Sequence, residues 1–264
     1  MDLLEYQGKQ LFARHGVPVP DGRSATVHPL RHHEAIGGAG AGKALNLARL
    51  GVDVTLFAGI GEDDAGRHVR VGLVAAGVDL RATLDPTGTA QHVNLMDPDG
   101  GRISIMLANG SADLAFDQVA LAASMAEADV IVADLAPWTP RAVPAAVASG
   151  RPIWTDLHDH DGTSSWHAPF IDAAEVIFVS HDRLPDPRTF LGSLVERGKR
   201  FAVCTMGADG AIALDADGRE YAVPAVPDVE IVDSNGAGDG FFAGTLFGVL
   251  DGAPLEVAPP SVER

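Results

Sequence analysis

The chain has 264 residues and carries 19 Lys+Arg against 36 Asp+Glu, a formal net charge of −17. Its 46% hydrophobic and 21% charged residues are the composition of a folded protein and exclude a disordered chain, and the acidic balance excludes nucleic acid, which calls for a basic face. Cys204 is the one cysteine, which excludes a disulfide framework or a cysteine-based zinc site and fits a reducing cytoplasm; no stretch reaches the ~20 apolar residues that span a bilayer, so no membrane contact is expected.

Residues 1–16 predict an amphipathic helix, with Leu3, Leu4, Leu11 and Phe12 at helical spacing and no secretory signal pattern. Pro18, Pro20 and Gly22 break it, and residues 23–36 are polar and weakly patterned. From Gly37 onward helices and strands alternate. Helices are predicted over 41–50, 64–76, 116–127, 140–149, 187–197 and 236–250. Strands are predicted over 52–58, 130–134, 152–157, 175–180 and 201–205. Residues 91–96 and 102–107 form a hairpin around Asp97-Pro98-Asp99-Gly100-Gly101, and 211–214 pairs with 220–223. Strands such as Val130-Ile131-Val132-Ala133 are apolar at consecutive positions, which suits a parallel sheet covered on both faces. The expected fold is α/β, with ligands outside the carboxyl ends of the strands.

Much of the glycine sits in two clusters. The first chemical signal is Asp233-Ser234-Asn235-Gly236-Ala237-Gly238-Asp239-Gly240, just ahead of an apolar helix. Glycines let backbone N–H groups approach a ligand, and a helix N-terminus adds positive potential, so the run is built to hold a phosphate. Asp239 falls in the first helical turn, where a carboxylate is placed to take a proton from an alcohol; the simpler reading is an aspartate favoured by the helix dipole. No Gly-Lys-Ser/Thr follows, so this is not a Walker P-loop. The second cluster is Gly37-Gly38-Ala39-Gly40-Ala41-Gly42-Lys43, followed by Gly59-Ile60-Gly61-Glu62-Asp63-Asp64-Ala65-Gly66.

These runs resemble the two signatures of the ribokinase (PfkB) carbohydrate kinase family. The resemblance covers residues 29–250 and implies a ribokinase-like three-layer sandwich with a mostly parallel central sheet and a small β lid. It implies an ATP-dependent phosphotransferase that phosphorylates a hydroxyl of a sugar or nucleoside, with Asp239 as general base and Gly236, Ala237 and Gly238 as anion hole. Cys204-Thr205-Met206-Gly207-Ala208-Asp209-Gly210 resembles the family's nucleotide turn, so Thr205, Gly207 and Gly210, with Asp233 and Asn235, are assigned to ATP. Gly37, Gly38, Gly42, Lys43 and Asp156 are assigned to the substrate side. Gly42 stands where the family commonly carries a sugar-binding asparagine. Lys43 has two readings, contact to an acidic substrate or phosphate, or a solvated helix lysine, and the second is favoured. Mg²⁺ is implied, but Ser180-His181-Asp182-Arg183 replaces the family's Asn-x-x-Glu, with Asp182 as a partial substitute.

His158, His160 and His167 with their neighbouring aspartates have no recognised ligand spacing, so no dedicated metal site is expected. His92 and Asn94 lie on the lid hairpin, where they either touch substrate or are exposed strand residues, the favoured reading, and Trp138, Trp154 and Trp166 read as packing residues. Residues 1–20 resemble the start of the succinyl-CoA ligase β subunit. The expected organisation is a leader over 1–27 and a kinase domain over 28–264 that lacks the family's first strand and tail. A catalytically impaired nucleotide- or sugar-binding protein on the same scaffold is the alternative, and a succinyl-CoA-ligase relative a third. A homodimer through the lid is a further expectation.

Overall fold

The computed structural model describes residues 32–96, 102–227, 229 and 233–254. The predicted leader helix and the turn at 97–101 lie outside the described residues. The chain divides into two compact units, residues 1–35 with 93–105, and residues 36–92 with 106–264.

In chain order the elements are α1 (Ala39–Arg49), β1 (Thr55–Ile60), α2 (Asp64–Ala75), β2 (Asp79–Leu84), β3 (Gln91–Met96), β4 (Arg102–Ala108), α3 (Gln118–Glu127), β5 (Ile131–Val132), α4 (Thr139–Ala148), β6 (Ile153–Asp156), α5 (Ala168–Ala173), β7 (Val176–Ser180), α6 (Pro187–Glu196), β8 (Phe201–Thr205), β9 (Ala211–Asp215), β10 (Glu220–Val223) and α7 (Ala237–Leu250). Strands β5 to β8 pair in parallel, and β9 and β10 continue the six-stranded sheet antiparallel, in the order β10-β9-β8-β7-β6-β5. β1 and β2 form a parallel pair, and β3 and β4 a separate two-stranded sheet.

The consecutive apolar residues of the central strands are divided between two faces, as a period of two requires. Ile153, Ile177, Val179, Ala202, Cys204 and Ile212 face one core with Ala146 of α4, Phe170 and Ile171 of α5 and Leu191 and Leu194 of α6. Trp154, Val176, Phe178, Phe201, Val203 and Ala213 face the other, against Leu47 of α1 and Phe242, Ala243 and Leu246 of α7. Helices on both faces of a mostly parallel sheet make a three-layer sandwich.

Several expectations need correction. The strand predicted over 130–134 is only Ile131–Val132, although the Ala133 N–H still donates to the Trp154 carbonyl of β6 at 2.9 Å and the Ala133 carbonyl accepts from the Thr155 hydroxyl at 2.7 Å. The helix predicted from 116 begins at Gln118, where the Asp117 side chain caps the Val119 and Ala120 N–H groups at 3.0 Å. β2 was not predicted, although Asp79-Leu80-Arg81-Ala82 alternates polar and apolar. No helix is predicted over the six residues of α5 either, too short a run for a helical period to register. His92 and Asn94 are half-buried rather than exposed. Trp154 packs as expected, 2% exposed, but Trp166 is 45% exposed.

Candidate active site

Two helices and two strand ends bring the site together. Asp239 lies one turn ahead of Phe242 and Ala243 on the buried face of α7, so it shares the direction of the core side chains. Lys43 stands four residues before buried Leu47 on α1, which turns it inward. Asp156 ends β6, and Asp134 follows β5, its parallel neighbour. Both carboxylates therefore stand at the carboxyl edge of the sheet, where open α/β proteins bind ligands.

Lys43 is the hub. Its Nζ donates to Asp239 Oδ1 at 2.7 Å and lies 3.4 Å from Asp134 Oδ1 and 3.2 Å from Asp156 Oδ2. The residue is 2% exposed. The solvated-lysine reading is thereby overturned: three carboxylates compensate the burial of the charge, and Nζ also stands 5.2 Å over the Phe242 ring. Burial works to lower the Lys43 pKa, but the three carboxylates outweigh it and hold the ammonium well above its ordinary value.

His158 completes the cluster from the loop after β6. Its backbone is left-handed, with φ 51°, and its N–H donates to Asp156 Oδ1 at 2.9 Å. The ring lies 3.5 Å from Asp134 Oδ1 through Nε2 and 3.4 Å from Asp156 Oδ2 through Nδ1. Burial disfavours its charge, yet Asp156 and Asp134 raise its pKa. At Asp134 and Asp156 burial works upward, and the Lys43 and His158 charges outweigh it, so both carboxyls titrate below the usual range. At Asp239 burial wins: its carboxyl is pushed up against the pull of Lys43.

Glycine lets α1 approach these groups. A Cβ on Gly42 would lie 2.5 Å from Asp239 Oδ2, and one on Gly40 3.1 Å from Asp134 Oδ2. Gly37 is approached by the His92 ring, 2.7 Å from where its Cβ would stand, and Gly38 begins α1 with φ 91°. Gly42, Lys43, Asp156 and Asp239 thus come together as sequence-predicted site residues. Asp134 and His158 were not predicted. Asp134 had a signal, a carboxylate closing an apolar parallel strand like Asp156.

The loop before α7 is built by its own side chains. Asp233 Oδ1 accepts from the Asn235 N–H and Nδ2, both at 2.8 Å. Gly236 is left-handed at φ 78°, and the Ala237 N–H donates to the Ser234 carbonyl at 3.2 Å. Among the described residues nothing lies within 4 Å of a Cβ built on Gly236 or Gly238, which leaves room at the helix N-terminus.

The predicted nucleotide turn stands apart from this cluster, on β8, two strands along from β6. Adjacent strands are spaced by about 4.8 Å, so its strand end lies about 10 Å along the same edge. Thr205 Oγ1 donates to the Val179 carbonyl at 3.4 Å, and its carbonyl lies 3.2 Å from His181 Nδ1. Gly207 at φ 57° and Gly210 at φ 86° make the reversal, and a Cβ on Gly210 would lie 2.1 Å from the Val223 carbonyl oxygen. His160 and His167 face each other through Nδ1 at 3.0 Å beside Phe190, away from any third ligand. Among the described residues no group of three or more His, Cys, Asp and Glu is placed to hold a metal ion.

A family model described as pfkB family carbohydrate kinase matches residues 17–148 and 173–258. The chain is 33% identical over 233 residues to acarbose 7(IV)-phosphotransferase of Actinoplanes sp., covering 83% of this chain and 75% of that one. It is 26% identical to fructoselysine 6-kinase of Escherichia coli, covering 88% of each. Among solved structures, a microbiome-derived acarbose kinase superposes with a TM-score of 0.78 at 30% identity, covering 92% of this chain and 82% of that one. Arabidopsis thaliana ribokinase complexed with ribose and ATP superposes at 0.72 and 18% identity, covering 90% and 82%, a likeness of fold.

Proposed function

The chain belongs to the pfkB family of carbohydrate kinases, and from that premise we propose that Asp239 is the general base of its phosphoryl transfer. The protein is an ATP-dependent kinase that phosphorylates a hydroxyl of a sugar-like molecule. The observation that carries the base assignment is the Asp239 carboxylate at the N-terminus of α7, its Oδ1 held by Lys43. Oδ2 then takes the proton of the acceptor hydroxyl as its oxygen attacks the γ-phosphorus and ADP leaves. Backbone N–H groups of Gly236, Ala237 and Gly238, with the helix dipole, stabilise charge on the transferred group. Access of Ala237 requires release of its hydrogen bond to the Ser234 carbonyl.

Thr205, Gly207 and Gly210, with Asp233 and Asn235, line the ATP side, and Gly37, Gly38, Gly42 and Asp156 the acceptor side. The two relatives act on acarbose and on fructoselysine, which supports a sugar derivative as the acceptor. Mg²⁺ takes one or two carboxylates plus substrate phosphates rather than a protein cage. That fits an edge offering the exposed Asp182 carboxylate beside β8, which itself accepts from Ser180 Oγ at 2.8 Å. When bound, the ion neutralises phosphate charge.

Asp239→Asn tests the reading: ADP formation with the acceptor that wild type uses fastest, from a panel of sugars, amino sugars and nucleosides, should fall at least ~10²-fold. Turnover retained by that variant refutes the assignment. The engagement of the base by Lys43 also supports a second reading, an impaired binding protein; nucleotide binding by calorimetry without ADP formation on any acceptor would favour it.

The finer organisation is proposed as a leader over 1–27 and a kinase domain over 28–264. The leader's likeness to the succinyl-CoA ligase β subunit predicts CoA binding, and calorimetry with CoA tests it. The exposed Val93, Leu95, Met96 and Ile103 of β3 and β4 support a homodimer through that hairpin, read by light scattering. No helix among the described residues is long and apolar enough to cross a membrane. A buried, unpaired Cys204 suits a cytoplasmic setting.

A further inference from the structure

We propose that Lys43 is a positioning residue for the base: it holds Oδ1 of Asp239 and keeps that carboxylate ionised at neutral pH, leaving Oδ2 to the acceptor hydroxyl. This rests on Asp239 being the base. The geometry is specific to both oxygens. Lys43 Nζ lies 2.7 Å from Oδ1, while the Gly42 backbone stands so near Oδ2 that a Cβ there would be 2.5 Å away. Two consecutive residues of α1 therefore fix the plane of the carboxylate from one side.

The charge arithmetic explains why a lysine is needed. Asp239 faces Lys43 and Gly42 of α1, and it shares the Lys43 ammonium with Asp134 after β5 and with Asp156 at the end of β6, where His158 lies against both of those carboxylates. Without the ammonium, a half-buried carboxylate would share its surroundings with two more carboxylates and one imidazole. Burial and like charge both favour its protonated form, and a protonated Asp239 cannot accept the hydroxyl proton. An opposite charge within about 4 Å lowers a carboxyl pKa by about 1–3 units, enough to decide whether the base is ionised. His158 cannot replace it: its ring is held between Asp134 and Asp156.

The test is the pH dependence of kcat in Lys43→Met and Lys43→Arg, measured as ADP formation at saturating ATP and acceptor. In the methionine variant the acid limb should move up by about 1 pH unit or more, so that turnover at pH values below both limbs drops about tenfold or more and recovers at higher pH. The KM for ATP should stay within about twofold, since uniform binding is untouched. The arginine variant should keep its limb close to wild type. A limb that does not move in Lys43→Met, or a loss equal at every pH, overturns the proposal. If the methionine variant does not fold, ¹⁵N-lysine-labelled wild type gives the second measurement. The Lys43 Nζ resonance, assigned as the one perturbed in Asp239→Asn, should titrate with the midpoint of the wild-type acid limb; a flat response overturns the proposal. An inactive Asp239→Asn with an unmoved Lys43→Met limb defeats this inference alone, whereas an active Asp239→Asn defeats the base assignment and the inference with it.

Discussion

Gly42→Ala separates the catalytic from the structural cost of one methyl group. The added Cβ would lie 2.5 Å from Asp239 Oδ2, 3.1 Å from its Cγ and 3.3 Å from its Cβ. Ordinary carbon contacts begin near 3.5 Å, so the carboxylate must retreat by about 1 Å. It is the end of a side chain and has somewhere to go. Overpacking costs about 1–3 kcal/mol, offset by about 1 kcal/mol from replacing glycine inside a helix. The net loss of stability is therefore at most about 2 kcal/mol, a shift of no more than about 8 °C in Tm for a chain of this size. A base displaced by about 1 Å is another matter: such misplacement costs about 10²-fold in rate, or about 2.7 kcal/mol of transition-state stabilisation. The assay is coupled ADP release at saturating ATP and acceptor, beside a thermal melt of the same preparation. A kcat drop of about 10²-fold with a Tm loss of a few degrees is the expected pair. Turnover within about threefold of wild type refutes the reasoning that α1 and the base are in close register. So does a collapse in Tm, because it would mean that the carboxylate cannot yield.

Two predictions concern stability. Gly210→Ala, at φ 86° with a Cβ 2.1 Å from the Val223 carbonyl oxygen, should lower stability by about 3 kcal/mol or more, because backbone on both sides prevents retreat; a melt within about 2 °C of wild type would contradict it. Asp85 accepts from the Ser111 N–H at 2.7 Å, the Ser111 hydroxyl at 2.5 Å, the Thr87 N–H at 2.9 Å and the Thr87 hydroxyl at 2.7 Å. Burial works upward, but these bonds outweigh it and lower its pKa from 3.8 to about 2. A carboxyl depressed in the folded state contributes stability above its unfolded pKa and loses it as pH falls through the folded one. Asp85→Asn should thus cost about 2 kcal/mol at neutral pH, and urea melts should show the gap from wild type closing between pH 4 and about 2. A gap constant with pH would refute the role of the charge.

Much of the architecture was legible along the chain. Consecutive apolar residues in 152–157, 175–180 and 201–205 signalled strands covered on both faces, and they are the parallel centre of the sheet. The Asp233–Asp239 run signalled a helix N-terminus with a carboxylate in its first turn, and α7 begins there. What failed did so for local reasons. β5 has only two residues and α5 only six, both too brief for periodicity to fix their bounds. The inward turn of Lys43 is not legible because Gly40, Ala41, Gly42 and Ala44 give α1 little contrast between faces, and its two leucines, Leu45 and Leu47, pack into different clusters.

The sequence by itself determined the kinds of elements, the order in which they alternate and the two glycine runs that open α1 and α7. Those features depend on neighbours a few residues apart, where backbone sterics and hydrophobic period act directly. Only the tertiary structure decided that the two runs meet. Lys43 and Asp239 are 196 positions apart, and Lys43 and Asp134 are 91 apart. Packing of α1 and α7 on one face of the sheet brings them within hydrogen-bond reach, and burial there makes the lysine charge depend on three carboxylates that no local pattern connects to it.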